Sequence, residues 1–222
     1  MHNGRGDLPQ LVDDLRRARL TAGTLVPGFV LLLQEVDADV LELAHRLGLT
    51  AFFAPTRSSA GTERGNAVLA TRPLVDARAI ELPRERQRRM AISAFTDVDG
   101  ERLLVANVHL ENRAAWWRGA LPGDRMRERQ MRALLAELPA GVPGVLGGDF
   151  NTWLGTSEPA YRLAAEQFPD GPPGPPVATY GDRLPLDHLL FRLPPGWSAR
   201  WERAPSRYGS DHYPVVAVLG RS

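Results

Sequence analysis

The chain has 222 residues, 43% of them hydrophobic, and its 27 basic residues almost balance 26 acidic ones, for a net charge of +1. That balance excludes a protein that coats nucleic acid with a heavily basic surface, so any polyanion binding must be local. The absence of Cys excludes disulfides, thiolate metal sites and cysteine nucleophiles, and the absence of Lys excludes chemistry that needs a lysine amine.

In chain order, Asp7 followed by Gln10 has the spacing of a capping box, with Leu8, Leu11, Val12 and Leu15 at helical spacing behind it. A helix is expected from about Leu8 to Leu20. The run "GFVLLLQEV" is continuously apolar, as in a strand buried on both faces. Asp37 is placed to cap the next helix, whose stripe of Val40, Leu43, Ala44 and Leu47 ends at Gly48. Strand-like stretches follow: "TAFFAP", "GNAVLAT", "DARAIEL", "MAISAFTDV" and "RLLVANVHL", the last two joined by Asp99-Gly100, a strong hairpin signal. A helix from about Asp124 to Leu138 leads to the strand "GVLGGDF", where Gly147 and Gly148 suggest a sharp turn that frees Asp149 and Asn151. A helix opening at Ser157, Glu158 and Pro159, the loop "PDGPPGPP" and the strands "LDHLLF", "SARWERA" and "YPVVAVL" complete the chain. Hairpins mixed with helical crossovers, and no compositional break, predict one α/β domain over residues 1–222, with two packed sheets and helices outside. The longest apolar run, Phe29 to Leu33, is far too short to span a bilayer, and "MHNGRGD" lacks the apolar stretch of a signal peptide. As written, the chain is expected to be cytoplasmic.

Several of these strands end in polar groups: Gln34 and Glu35, Asn107 and His109, Asp149 and Asn151, Asp187, and Asp211 with His212. Singly, each is a solvated strand end or a satisfied core histidine. Together they offer carboxylate and carboxamide oxygens for a hard cation and imidazoles for proton transfer. Such donors suit Mg²⁺; zinc is disfavoured because there is no Cys and no HExxH pair. The lack of GxSxG, GxGxxG and Walker sequences removes support for a serine hydrolase or nucleotide-cofactor chemistry.

The strings "LQEVD", "RGNAVLATRPL", "NVHLEN", "GGDFNT", "LDHLLF" and "GSDHYPVVAVL", in that order, resemble the endonuclease/exonuclease/phosphatase superfamily. Its members include pancreatic-type deoxyribonuclease, abasic-site endonucleases, neutral sphingomyelinases and inositol polyphosphate 5-phosphatases. The resemblance runs from about Gly4 to Leu219. It implies a four-layer α/β sandwich of two facing mixed β-sheets with helices outside, a Mg²⁺ or Mn²⁺ cofactor, and hydrolysis of phosphate esters. By motif, it implies that Glu35 is the principal metal carboxylate and Asp211 a second one. His109 contacts the scissile phosphate or leaving group, with Asn107 beside it at the substrate. Asp149 and Asn151 orient water and hold a phosphate oxygen, and Asp187 orients His212, which activates water. His212 is preferred to Asp149 as the base, because a carboxylate near a metal should have a low pKa.

The chain departs from that pattern at its start. Relatives open with a strand whose Asn helps bind the metal, and His2 matches the histidine of that motif, which implies that the strand lies upstream of Met1. The N-terminal strand is therefore expected to be missing, with secretion left open. Arg64, Arg113 and Arg207 lie next to motifs and are able to grip phosphate, although the solvated reading is favoured for any one of them. Trp153 is balanced between stacking on substrate and packing, and the Trp116-Trp117 pair leans to packing. Glu63 stands as either an orienting acid for His109 or a solvated loop acid. "PRERQRRM" reads as a solvated strand entry. The leading expectation is a monomeric, metal-dependent phosphodiesterase acting on DNA, with no stable protein partner and no transmembrane segment. A phosphatase or phospholipase for inositol phosphates or sphingomyelin, and a scaffold without catalysis, are the alternatives.

Overall fold

The computed structural model describes residues 6–59, 61–84, 87–112, 122–171 and 176–221. The first helix, α1 (Leu8–Arg16), buries Leu8, Leu11, Val12 and Leu15. Asp7 caps it by accepting the Gln10 N–H at 3.0 Å. The reciprocal half of a capping box is replaced by a tertiary tie: the Asp7 N–H donates to the Tyr208 carbonyl at 2.7 Å, while the Gln10 amide turns to Asp14. Residues 17–23 are turns, with Ala18, Ala22 and Gly23 at positive φ, so the helix stops before Leu20.

After α1 come β1 (Val30–Asp37), α2 (Val40–Arg46), β2 (Thr50–Ser59) and β3 (Thr62–Ala70), the three strands forming an antiparallel sheet in the order β1-β3-β2. Asp37 does not cap α2. Its carboxylate accepts from Arg64 Nε at 2.7 Å, and Asp39, the residue before the helix, makes no side-chain cap bond.

A five-stranded sheet follows, built from β4 (Val75–Glu81), β5 (Met90–Val98), β6 (Glu101–His109), β7 (Gly144–Asp149) and β8 (Asp187–Arg192), in that spatial order. The β5–β6 hairpin turns at Asp99 and Gly100, with φ of 51° and 81°, the two positive values that a twisted two-residue turn requires. Only β6 and β7 run parallel, and α3 (Pro122–Glu137) makes the crossover between them. Between β7 and β8 lies α4 (Pro159–Gln167); β9 (Trp197–Arg203) and β10 (Val215–Arg221) then pair with each other in a two-stranded sheet.

Hydrophobic contacts sort these elements into four layers. Met131, Leu134, Ala160 and Ala164 of α3 and α4 pack on Ala91, Ala106 and Leu146 of the larger sheet. Leu8, Leu11 and Ala44 of α1 and α2 cover Leu31, Leu33 and Leu69 of the other. Val68, Met90, Ile92 and Val105 fill the space between the sheets. The expected sandwich is present, and the layer facing the five-stranded sheet comes in two pieces, because no strand lies between β1 and β10 among the described residues. No described helix is long and apolar enough to cross a membrane.

Candidate active site

Three chemistry-bearing residues stand in a row because of register alone. His109, the last residue of β6, is paired with Asp149, the last residue of β7, and Asp149 is paired with Asp187, the first residue of β8. Side chains of register partners share a face of the sheet, so residues up to 78 positions apart in sequence converge at one edge of the sandwich. The His109 Nε2 lies 3.5 Å from Asp149 Oδ2. His212, in the loop before β10, is bound through Nδ1 to Asp187 Oδ2 at 2.6 Å. Ligand-capable atoms of Asp149, Asp187 and His212 lie within 4.8 Å of one another.

The two glycines ahead of Asp149 do not form the sharp turn read from the sequence. Both lie inside β7, which is paired on one side with β6 and on the other with β8. A Cβ on Gly148 would meet the Val108 carbonyl oxygen at 2.0 Å, and its φ of +132° excludes L side chains. A Cβ on Gly147 would meet Leu189 at 2.5 Å and Leu32 at 2.8 Å. The glycines serve close approach, which brings Asp149 to the end of a strand buried at every position but Val145. The turn comes later, at Asn151, with φ of 51°. The Asn151 N–H donates to Asp149 Oδ1 at 2.9 Å and its side-chain amide to the Leu110 carbonyl at 3.1 Å, so the loop is clamped on both sides of the acid.

Asp187 is held by a residue the sequence did not single out. The buried Thr179 hydroxyl accepts the N–H groups of Leu186 and Asp187 at 3.2 and 3.1 Å. Next to it, His188 is a core histidine: its Nε2 is 2.8 Å from Thr152 Oγ1, its ring packs on Phe150 and Tyr161, and burial lowers its pKa to about 4. Tyr180 presses its ring on His212 at 4.9 Å between centroids and meets Trp153 edge-on at 6.2 Å.

Other expected site residues take different positions. Glu35 and Asp211 are half-buried and contribute no ligand atom to the Asp149–Asp187–His212 cluster. Glu35 sits at the bulge of β1 with φ of 55°, within electrostatic range of Arg89, which also feels Asp149; Asp211 adjoins His212 and favours its protonated form. Asn107, expected at the substrate, is fully buried. Its amide donates to the Leu33 and Ala67 carbonyls, each at 2.9 Å, and its oxygen accepts from Gln34 at 2.7 Å, so it ties the two sheet layers together. Arg64 is paired with Asp37, and Arg207 lies 3.4 Å from Asp182. Glu63 is exposed. Trp153 is half-buried and donates its indole N–H to the Asn112 carbonyl at 3.3 Å. Arg113 and the Trp116-Trp117 pair lie outside the described residues.

Within "PRERQRRM", Arg89 is not solvated. It is 5% exposed, its Nη2 lies 3.8 Å from Glu111 Oε1, and its Nε and Nη2 and the Glu111 Oε2 have no hydrogen-bond partner. Nothing in the one-dimensional charge pattern distinguishes this arginine from its neighbours. Only the pairing of strands buries it.

The sequence profile of the endonuclease/exonuclease/phosphatase family matches residues 2–212. The chain belongs to this family. Among curated proteins it is similar to the UPF0294 protein VV2535 of Vibrio vulnificus, 30% identical over 125 residues that make up 53% of this chain and 39% of that protein. The chain thus matches about two fifths of the length of that relative. Among solved structures, the human nocturnin catalytic domain with bound sulfate anion is similar at a TM-score of 0.67 and 25% identity, covering 87% of this chain and 80% of that one. An endonuclease/exonuclease/phosphatase from Beutenbergia cavernae has the same fold at a TM-score of 0.68 and 20% identity, with 99% and 69% covered.

Members of the endonuclease/exonuclease/phosphatase family hydrolyse phosphate esters, generally with a divalent metal. The site of this chain has the electrostatics that such a cation would answer. Burial, and then the charge of Asp187, push the Asp149 carboxyl up to about 7. Burial alone would lower His212; the hydrogen bond and charge of Asp187, with Asp149 and Asp211, reverse this and push it up to about 9. His109 is held well below its ordinary value by burial and then by Arg89, so it is neutral. Crowded acids that resist ionisation fit a cation with oxygen donors.

Proposed function

We propose that the protein is a divalent-metal-dependent phosphodiesterase, with Mg²⁺ or Mn²⁺ as the ion and DNA as the leading substrate. The observation that carries this reading is the row of buried His109 and Asp149 and half-buried Asp187, with His212 locked to Asp187 at 2.6 Å. Water is a weak nucleophile and a phosphodiester repels anions, so the site must supply alignment, a proton acceptor and positive charge. Glu35 and Asp211 are assigned to the ion, which would supply Lewis-acid charge to the phosphate.

Asp149, buried beside Asp187 and held by the Asn151 N–H at 2.9 Å, takes the proton of the attacking water as the new P–O bond forms. This reverses the preference read from the sequence. With Nδ1 tied to Asp187, His212 keeps its proton at neutral pH and donates from Nε2 to the leaving oxygen as the old P–O bond breaks. Neutral His109 and the amide N–H of Asn151 not used on Leu110 are assigned to hydrogen-bond the phosphate oxygens, whose charge grows in the transition state. Trp153 and Tyr180 provide an aromatic flank for a planar substituent of the substrate.

Hydrolysis of bis(p-nitrophenyl) phosphate tests the chemistry. Activity should need Mg²⁺ or Mn²⁺ and vanish with EDTA. Asp149→Asn should lower kcat about 10³-fold at saturating metal, whereas Glu35→Gln should chiefly raise the metal concentration required. Activity unchanged by EDTA or by Asp149→Asn would rule the mechanism out. Plasmid DNA, abasic duplex, sphingomyelin and inositol phosphates, run in parallel, decide the substrate class.

A further inference from the structure

The 2.6 Å contact between His212 Nδ1 and Asp187 Oδ2 joins parts of the molecule that strand pairing does not join. Asp187 opens β8 at the edge of the five-stranded sheet, and His212 stands just ahead of β10, which pairs with β9 in a separate sheet. No ladder runs between β8 and β10 among the described residues. A hydrogen bond this short tolerates little drift, so something other than sheet register must fix where the two backbones stand.

Thr179 meets both of them. It is fully buried, and its hydroxyl accepts the N–H groups of Leu186 and Asp187 at 3.2 and 3.1 Å. Its carbonyl accepts the N–H of Tyr213, the neighbour of His212, at 2.8 Å. One residue thus holds the backbone of the acid with its side chain and the segment of the imidazole with its main chain. The turn that follows keeps it in place. Thr179 and Tyr180 donate their N–H groups to the Leu184 carbonyl at 2.9 and 3.0 Å, and the Leu184 N–H returns to the Tyr180 carbonyl at 3.0 Å. Gly181 and Asp182 close this turn at φ of 56° and 55°, and Arg203 Nη1 pins Asp182 Oδ1 from outside at 2.9 Å. Tyr180 in turn forms a backbone bridge to His212.

The chemistry of the side chain matters here. A hydroxyl oxygen has two lone pairs, so it serves both N–H groups at once. Valine has the same shape and serves neither, whereas serine keeps the oxygen.

We propose that Thr179 is a positioning residue, a two-ended spacer that sets the distance between Asp187 and His212 across the two sheets. The proposal rests on the reading of that pair as part of the chemistry, but the spacing itself is observable without turnover.

A proton in so short an imidazole–carboxylate bond resonates far downfield of ordinary amide protons, and His212→Gln identifies it by its loss. In metal-free protein at neutral pH, Thr179→Val should erase that resonance or move it toward the amide range. With Mg²⁺ present, the same variant should lower kcat for bis(p-nitrophenyl) phosphate about tenfold or more and change KM less than about twofold. Thr179→Ser should retain the resonance and keep kcat within about threefold of the parent chain. A resonance and kcat in Thr179→Val equal to those of the parent would overturn the spacer. So would a loss of kcat with the resonance in place, a serine variant as impaired as the valine one, or no downfield resonance in the parent. If Thr179→Val does not fold, Thr179→Ala, with room for a water against the same N–H groups, is read by the same two measurements. A parent chain that shows the resonance but no metal-dependent hydrolysis would count against the function proposed above, and the resonance of the variants would still decide the spacer.

Discussion

The two sheet layers of this protein were built from similar apolar runs and ended in different states. In the five-stranded layer, β6 and β7 are flanked on both sides, and almost every residue of their inner halves is buried. In the other layer, β1 and β10 each keep an edge with no strand beside it among the described residues, and β10 stays half-buried from Val215 to Gly220. The difference teaches where the chemistry can be rigid. His109, Asp149 and Asp187 ride on the closed layer, where register fixes them, while His212 comes from the divided layer and reaches them through its tie to Asp187.

The sharpest way to break the comparison is to damage the closed layer. Gly148→Ala places a Cβ 2.0 Å from the Val108 oxygen at a φ of +132°, and should cost about 3 kcal/mol or more, measured as the shift in urea midpoint. A pH series in EDTA probes the row itself. Asp149 ionises at 3.8 unfolded and about 7 folded, so its burial carries no penalty below pH 3.8, a growing one from there to 7, and the full one above. Stability should fall by a few kcal/mol across that window, and Asp149→Asn should flatten it. His212, raised from 6.5 to about 9, contributes stability that is fully present below 6.5 and lost as pH rises through 9, so a second decline persists in that variant.

Cutting the tie between layers comes next. Asn107→Leu leaves the Leu33 and Ala67 carbonyls without their donor and should cost about 2–3 kcal/mol in thermal or urea unfolding. The smallest effect is expected at Arg64, which is paired to Asp37 on the divided layer. Arg64→Ala should change stability by less than about 1 kcal/mol and leave the KM for bis(p-nitrophenyl) phosphate unchanged, which would separate an ion pair from a phosphate ligand.

Local signals in the sequence were reliable where their cause is local. The Asp7 cap, the Asp99-Gly100 hairpin and the β5 span follow from backbone preferences and alternation that neighbours a few residues apart decide. Asp37 misled because a good capping residue was claimed by a distant arginine. Asn107 misled for a similar reason: an amide in a motif looks alike whether it faces substrate or the gap between two sheets. Arg89 shows the limit most plainly, since a basic run reads as solvated until strand pairing buries one member beside Glu111.

What the sequence determined by itself is the inventory: which strands end in acids and imidazoles, in what order, and that oxygen donors rather than thiolates are available to an ion. The tertiary structure alone decided which of those groups meet. Register across β6, β7 and β8 aligned His109, Asp149 and Asp187, and burial with mutual charge then set how tightly each holds its proton. Pairing and desolvation are properties of residues far apart in the chain, and no window of sequence contains them.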